Sequence, residues 1–155
     1  MPLDRIDELI DVDVRAPMQL ARAALPSLSA GGEGALVFVT SIAGLLLVPR
    51  ESVYSAAKAA IEAFAEVLRE ETRGSGVHVG TVVPGAVQTE FFDRRGTPYN
   101  RTFPPLIPPE RVAAGVLRVI EDNAERAVVP GWLRGPMVLR RLAPRRYRTL
   151  SRRYG

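Results

Sequence analysis

The sequence predicts an α/β protein with a parallel sheet, and three observations support this prediction. Residues 35–40 and 77–83 form short, nearly all-apolar runs, as in strands that are covered on both faces. Longer segments with apolar residues at helical spacing alternate with these runs. A third short apolar run, over 127–130, follows the last helical segment. The order strand, helix, strand, helix, strand is typical of a parallel sheet.

The first half of the chain shows clear signals for where each element begins and ends. We predict a helix over 3–28, which Pro17 should kink or split because proline lacks a backbone donor. The first strand follows a glycine-rich loop over 29–34. Residues 51–73, rich in Ala, Glu and Leu, form the strongest predicted helix. Glycines at 74 and 76 are expected to end it.

The second half begins with the strand at 77–83, which Pro84 and Gly85 stop. Residues 86–107 are predicted to be irregular, and connections of that length are usually functional lids or disordered segments. A further helix is predicted over 108–122, because prolines in a first turn suit a helix start.

Composition excludes several classes of protein. The 155 residues are 46% apolar and 25% charged, the length and balance of one globular domain. The absence of cysteine excludes disulfide scaffolds and thiolate metal sites, and with His78 as the single histidine we expect no metal site. We expect His78 to be an ordinary strand residue. The acidic N-terminus does not resemble a secretory signal, and no apolar run is long enough to span a bilayer. We therefore expect a cytoplasmic protein.

Charge is distributed unevenly along the chain. Thirteen basic and seventeen acidic residues lie at or before Arg126, whereas the residues after it include eight arginines and no acid. We expect two parts: a main region over 1–131, which the resemblance described below identifies as a truncated catalytic region, and a basic, partly amphipathic tail over 132–155. The tail suits either an anionic membrane surface, which would make the protein peripheral to the membrane, or a helical extension partly docked on the rest. Nucleic acid is the least favoured partner, because the rest of the chain is acidic and contains no recognised nucleic-acid-binding module.

Lys58 is the only lysine, beside twenty arginines, and it follows Tyr54 by four residues. At this spacing both side chains share one face of the predicted helix. An ammonium near a phenol favours the phenolate, so we expect the pKa of Tyr54 to fall below about 10. Ser41 ends the first predicted strand, at the sheet edge where open α/β folds bind ligands. The three residues predict a proton-transfer site.

Three motifs resemble those of the short-chain dehydrogenase/reductase family, in the family's order and spacing. They are Thr40-Ser-Ile-Ala-Gly44, Tyr54-Ser-Ala-Ala-Lys58 and Val82-Val-Pro-Gly-Ala-Val-Gln-Thr89. The resemblance covers about residues 6–130. It implies a partial doubly wound, Rossmann-like parallel sheet, namely the C-terminal half of such a domain. It also implies interconversion of a carbonyl and an alcohol by hydride transfer, with NAD or NADP as cofactor.

The resemblance assigns catalytic roles residue by residue. Tyr54 would be the general acid for carbonyl reduction and the base for alcohol oxidation, and Ser41 would polarise the substrate oxygen. Lys58 would bind the nicotinamide ribose. Asp13 stands where the family usually has an asparagine that helps a water relay protons to the lysine. It would either hold that water or pair directly with Lys58.

The resemblance also implies a cofactor pocket and a substrate lid. Besides Tyr54 and Lys58, the residues Pro84, Gly85 and Thr89 would line the nicotinamide pocket. The lid over 86–107 contains four aromatic residues, which indicate an apolar or bulky small-molecule substrate. They equally suit a core cap. The family commonly packs subunits through the helices corresponding to 3–28 and 51–73, and the first strand has an unpaired edge, so we expect a homo-oligomer.

The family's glycine-rich cofactor turn and its ribose-reading residue have no counterpart. The glycines at 31–34 lie between a helix and a strand, the wrong context for a dinucleotide fingerprint. The missing βαβ units correspond to on the order of 90 residues. Two alternatives to an active oxidoreductase therefore stand: a truncated, catalytically incompetent fragment, and a basic-tailed membrane-surface adaptor.

Overall fold

A computed structural model describes residues 1–96 and 98–154, without the side chains of 152–154. Residue 97 of the predicted lid, and the end of the predicted tail, lie outside the described residues. Three strands, β1 (Gly34–Val39), β2 (Val77–Pro84) and β3 (Arg126–Val129), form a parallel sheet in the order β1-β2-β3. Every predicted strand boundary is confirmed to within one residue.

The first predicted helix is split, as expected, just before Pro17. It consists of α1 (Leu3–Ile10), a π-helical segment (Asp11–Arg15) and α2 (Ala16–Gly31). Pro17 has no N–H to donate to the carbonyl four residues earlier, and the wide turn lies there. The N–H of Ala16 donates instead to the carbonyl of Asp11. This local break sets the position of Asp13.

The remaining helices connect the strands and extend the chain beyond β3. Helix α4 (Ser52–Glu71) spans almost all of the segment predicted over 51–73, and the helix predicted over 108–122 is also present. The apolar connection after β1 and part of the lid contain short helices that the sequence did not predict. The elements are α3 (Ile42–Leu46), α4 (Ser52–Glu71), α5 (Phe91–Arg94), α6 (Pro109–Glu121), a 3₁₀ turn (Gly131–Leu133), α7 (Arg134–Leu142) and α8 (Pro144–Tyr154).

Helices cover both faces of the sheet, as strands with all-apolar runs require. On one face, α2 and α4 pack on β1 and β2 through a cluster that includes Phe38, Ile61 and Val79. On the other face, Val119 of α6 packs on β2 and β3 through Val82. The prediction of a partial Rossmann-like α/β fold is confirmed.

The C-terminal helices are docked on α3. Met137 of α7 packs beside Leu45, and the Arg140 guanidinium donates to the Leu45 carbonyl. The Tyr147 hydroxyl donates to the carbonyl of Leu46 at 2.9 Å. The tail is thus partly docked, as one of the two alternatives for it predicted. The division of the chain at residue 131 stays a prediction.

Within the described ranges, no helix combines the length and the hydropathy that crossing a membrane requires.

Candidate active site

Ser41 follows the carboxyl end of β1 and is the N-cap of α3. Its hydroxyl oxygen accepts a hydrogen bond from the Ala43 N–H at 3.1 Å, which is the usual role of a capping serine. The residue is 7% exposed. Its capping bond fixes the side chain where β1 passes into α3.

Gly44 brings α3 into direct contact with α4, which carries Tyr54 and Lys58. A Cβ at residue 44 would lie 2.7 Å from backbone atoms of both Lys58 and Ala59. Because this is closer than real Cβ contacts, only glycine allows the two helices to approach as they do. The glycine therefore places Ser41 beside the first turns of α4.

Tyr54 lies where α3 and α4 meet, and the pKa of its phenol is raised. Burial of the phenol is the main cause, and the negative charges of Asp13 and Glu51 add to it. A hydrogen bond with the Ser41 side chain and the charge of Arg95 lower the pKa without cancelling the rise. The Ser41 side chain thus contributes to the surroundings of the phenol, and the catalytic roles of both residues stay predictions. The predicted fall in the pKa is wrong, because desolvation of the phenolate outweighs the favourable contacts.

Lys58 forms an ion pair with the carboxylate of Asp13. Its Nζ lies 3.1 Å from Oδ1 of Asp13, and 5.7 Å from the centre of the Tyr54 ring. Of the two alternatives for Asp13, the structure shows direct pairing. The π-helical segment before α2 brings this carboxylate to α4, and the lysine side chain is only 14% exposed.

The residues predicted to line a nicotinamide pocket lie along the end of β2 and the turn after it. Pro84 is buried, and the Gly85 N–H donates to the Val129 carbonyl at 2.7 Å, which joins this end of β2 to β3. Thr89 is exposed, and its hydroxyl accepts weakly from the Phe91 N–H at 3.4 Å. Their roles toward a cofactor stay predictions.

The lid segment lies against Tyr54 through aromatic contacts. The Phe91 ring is 5.5 Å from the Tyr54 ring and 5.3 Å from the Phe92 ring, between centroids. Arg95 lies over both phenylalanine rings and forms an ion pair with Glu51 at 2.7 Å. Since Glu51 immediately precedes α4, this pair ties the lid to the helix that carries Tyr54. Phe91 remains 40% exposed, so it covers the site without joining the core.

Sequence reasoning missed a buried polar network behind Ser41. The Thr40 hydroxyl donates to Oε1 of Glu62 at 2.5 Å, and Arg126 donates to Oε2 at 2.7 Å. Glu62 is 4% exposed. The available signal was its position, between Ile61 and Ala65 on the apolar face of α4. A carboxylate there requires a buried partner.

His78 has the structural role expected of it, since its Nε2 lies 3.2 Å from the Ala124 carbonyl oxygen. Within residues 1–96 and 98–154, no cluster of three or more potential metal ligands is found.

A parallel sheet covered on both faces, with a serine, a tyrosine and a lysine gathered at its carboxyl edge, defines a partial Rossmann-like domain with a candidate proton-transfer site. Residues 1–100 match the family described as short chain dehydrogenase. The chain belongs to this family of oxidoreductases, and the resemblance inferred from the motifs is confirmed.

Comparison with two relatives shows what fraction of a family member's length the chain covers. It is 32% identical over 115 residues to an oxidoreductase of Staphylococcus aureus, covering 74% of this chain and 48% of the relative. It is 30% identical over 159 residues to the dehydrogenase/reductase SDR family protein 7-like of Anopheles gambiae, covering 93% and 50%. The chain spans about half the length of these curated relatives.

Solved structures agree with the fold. A short-chain dehydrogenase from Sphingobium yanoikuyae, in complex with NADPH, superposes with a TM-score of 0.76 at 28% identity. This match covers 84% of the present chain and 51% of the other. A short chain dehydrogenase from Burkholderia cenocepacia, in complex with NADP, gives a TM-score of 0.76 at 27% identity, covering 94% and 58%.

Proposed function

We propose that this chain carries the proton-transfer site of a nicotinamide-dependent oxidoreductase that reduces a carbonyl group to an alcohol. The observation that carries the proposal is the gathering of the Tyr54 phenol, the Ser41 hydroxyl and the Lys58–Asp13 pair where β1 ends and α4 begins. Whole members of the family are about twice as long, so the activity proposed is that of a protein containing this chain.

The residues fit the nicotinamide end of the cofactor. An ammonium has three donors, and Lys58 uses one of them on Asp13 in a partly exposed position. Two donors are left for the ribose hydroxyls that the family's lysine binds. Within the described residues, no strand leads through a glycine-rich turn into a helix N-terminus, the arrangement that binds pyrophosphate. We therefore assign only the nicotinamide-ribose end to this chain, with NAD or NADP left open.

The chain's own residues manage the proton. With its pKa raised, Tyr54 is protonated near neutral pH, so its phenol is available as the proton donor for carbonyl reduction. The Ser41 hydroxyl orients and polarises the carbonyl oxygen that receives the proton. The nicotinamide, when bound, supplies the hydride. Asp13 holds Lys58 in place, and Pro84, Gly85 and Thr89 border the nicotinamide ring.

The lid suggests the substrate class. Its aromatic contacts with Tyr54 place apolar surface next to the phenol, so we propose an apolar or bulky ketone or aldehyde. We further propose that the active form is a homo-oligomer, because large apolar side chains of α1, the π-helical segment, α2 and α4 are exposed. These are Leu3, Val12, Leu20 and Val67.

The test is titration of the purified protein that contains this chain with NADH and NADPH, followed by an assay of aryl-ketone reduction with the cofactor that binds. We expect saturable binding, and we expect Tyr54→Phe to lower turnover about a hundredfold or more, since a positioned general acid typically contributes 10²–10⁴. Tyr147→Phe is the matched control, because its phenol only donates to the Leu46 carbonyl. It should retain turnover.

Two results would contradict the proposal. Absence of saturable binding of either cofactor would favour the incompetent-fragment alternative. Binding with full turnover in Tyr54→Phe would remove Tyr54 from the reaction.

A further inference from the structure

A groove of about 720 Å³ lies between the α3–α4 connection and the C-terminal helices. Its volume falls in the range of small-molecule sites, which is roughly 300–1,000 Å³. Leu47 and Val138 both line it and are 50% and 55% exposed. The groove does not include Ser41, Tyr54 or Lys58, so the proposed catalytic site does not account for it.

The loop that provides part of the apolar lining is fixed by its backbone conformation and by hydrogen bonds to its carbonyls. Leu47 has φ of 57°, in the left-handed region that a leucine rarely adopts. The two preceding carbonyls, of Leu45 and Leu46, accept from Arg140 and Tyr147. The loop is therefore fastened to the C-terminal helices, and the exposed Leu47 side chain is held at the groove.

The rim of the groove is basic. Arg141 and Arg148 line it, and neither forms a hydrogen bond or an ion pair through its side chain with any described residue. The sequence contains no acidic residue after Glu125. Guanidinium groups with open donors bind carboxylates and phosphates in bidentate fashion. An apolar cleft bordered by two such groups complements a ligand with one apolar end and one anionic end.

We propose that this groove binds a single-chain anionic amphiphile, with its apolar chain along Leu47 and Val138 and its carboxylate or phosphate head at Arg141 and Arg148. A single chain fits better than a bilayer, because Leu47 and Val138 line one bounded groove that also contains the two arginines. Leu142, the most exposed large apolar side chain of the tail at 77%, lies outside the groove.

The experiment is calorimetric titration of the full chain with monomeric dodecanoate and, separately, dodecyl phosphate. Dodecyltrimethylammonium is the charge-reversed probe. We expect saturable one-to-one binding of at least one anionic probe and none of the cationic one. Arg141→Gln/Arg148→Gln should weaken this binding about tenfold or more, since hydrogen bonds to charged groups contribute about 1.5–3 kcal/mol each. Val138→Glu, which places a carboxylate in the groove at an exposed residue, should abolish it.

The matched control is Arg134→Gln/Arg145→Gln, which removes the same charge from the same two helices outside the groove. It should retain affinity within about twofold. Equal weakening by both double variants would show that binding depends on the total positive charge of the tail and not on the two arginines of the groove, and it would overturn the proposal. So would binding to phosphatidylglycerol vesicles, with dependence on Leu142, in the absence of binding to the monomeric probes. Circular dichroism establishes that each variant is folded, and none of these readouts depends on oxidoreductase activity.

Discussion

Two ion pairs lie near the carboxyl end of β1, and they differ in how fully their charges are satisfied. Glu62 is deeply buried, and each of its carboxylate oxygens accepts a hydrogen bond, one from Thr40 and one from Arg126. The pair between Lys58 and Asp13 is more open at its carboxylate, since the Asp13 side chain is 24% exposed and that of Glu62 is 5% exposed. Lys58 has one hydrogen-bond partner within the described residues, although it carries three donors.

This difference indicates two roles: the Glu62 network stabilises the structure around the site, whereas the Lys58–Asp13 pair belongs to the candidate site itself. The Glu62 network joins β1, α4 and β3 and has little capacity left for a ligand. It holds Thr40, and so fixes the neighbouring Ser41. The Lys58–Asp13 pair leaves two ammonium donors without a partner among the described residues, as the proposed binding of a ribose requires.

The largest effect is expected from breaking the satisfied pair. Glu62→Ala leaves Thr40 without its acceptor and Arg126 without its counter-charge. Removing one partner of a buried pair typically costs 3–5 kcal/mol. Because the Arg126 side chain is 35% exposed and can regain water, we expect a loss near the lower end, about 3 kcal/mol. Urea unfolding at neutral pH measures it.

Glu66→Ala is the matched control for this substitution. Glu66 lies one turn further along α4 and is exposed, so its loss should change the free energy of unfolding by no more than about 0.5 kcal/mol. Equal effects of the two substitutions would show that the Glu62 network does not stabilise the fold.

The same comparison explains what sequence alone could predict. The strands were predictable because their apolar runs are local, and the site because Tyr54 and Lys58 are four residues apart in a helix. Glu62 was not, since its partner Arg126 is 64 residues away and glutamates are common on helix surfaces. The pKa of Tyr54 was predicted in the wrong direction, because burial is a tertiary property and Asp13 takes up the charge of Lys58.

An intermediate effect is expected from the phenol itself at alkaline pH. Since the folded-state pKa of Tyr54 lies above its unfolded value of 10.0, the folded state retains a proton that the unfolded state loses. The resulting stability is complete below pH 10 and is lost as the pH rises through the folded-state pKa. The loss has a maximal slope of about 1.4 kcal/mol per pH unit. Tyr54→Phe removes this contribution.

The measurement is the difference in unfolding free energy between the original chain and Tyr54→Phe from pH 7 to 11. We expect a constant difference up to about pH 9, and a decline above it. The pH range below 9 is the internal control, because the phenol is protonated in both states there. A difference that stays constant to pH 11 would mean that burial does not hold Tyr54 protonated.

The smallest effect on stability is expected from the open pair. Asp13→Asn removes the counter-charge of Lys58, yet it should change the free energy of unfolding by about 1 kcal/mol or less, because both side chains retain contact with water. Asp11→Asn is the matched control, since Asp11 belongs to the same π-helical segment and pairs with Arg15 at the surface.

The two variants should have similar stability but differ in the pKa of Tyr54. Because the charge of Asp13 raises the pKa of that phenol, Asp13→Asn should lower the midpoint of its titration. Since the chain has four tyrosines, the Tyr54 signal is the difference in phenolate absorbance between each variant with and without Tyr54→Phe. An unchanged midpoint would show that the open pair is electrostatically isolated from the phenol, and the charge that Asp13 places beside Lys58 would then serve the lysine alone.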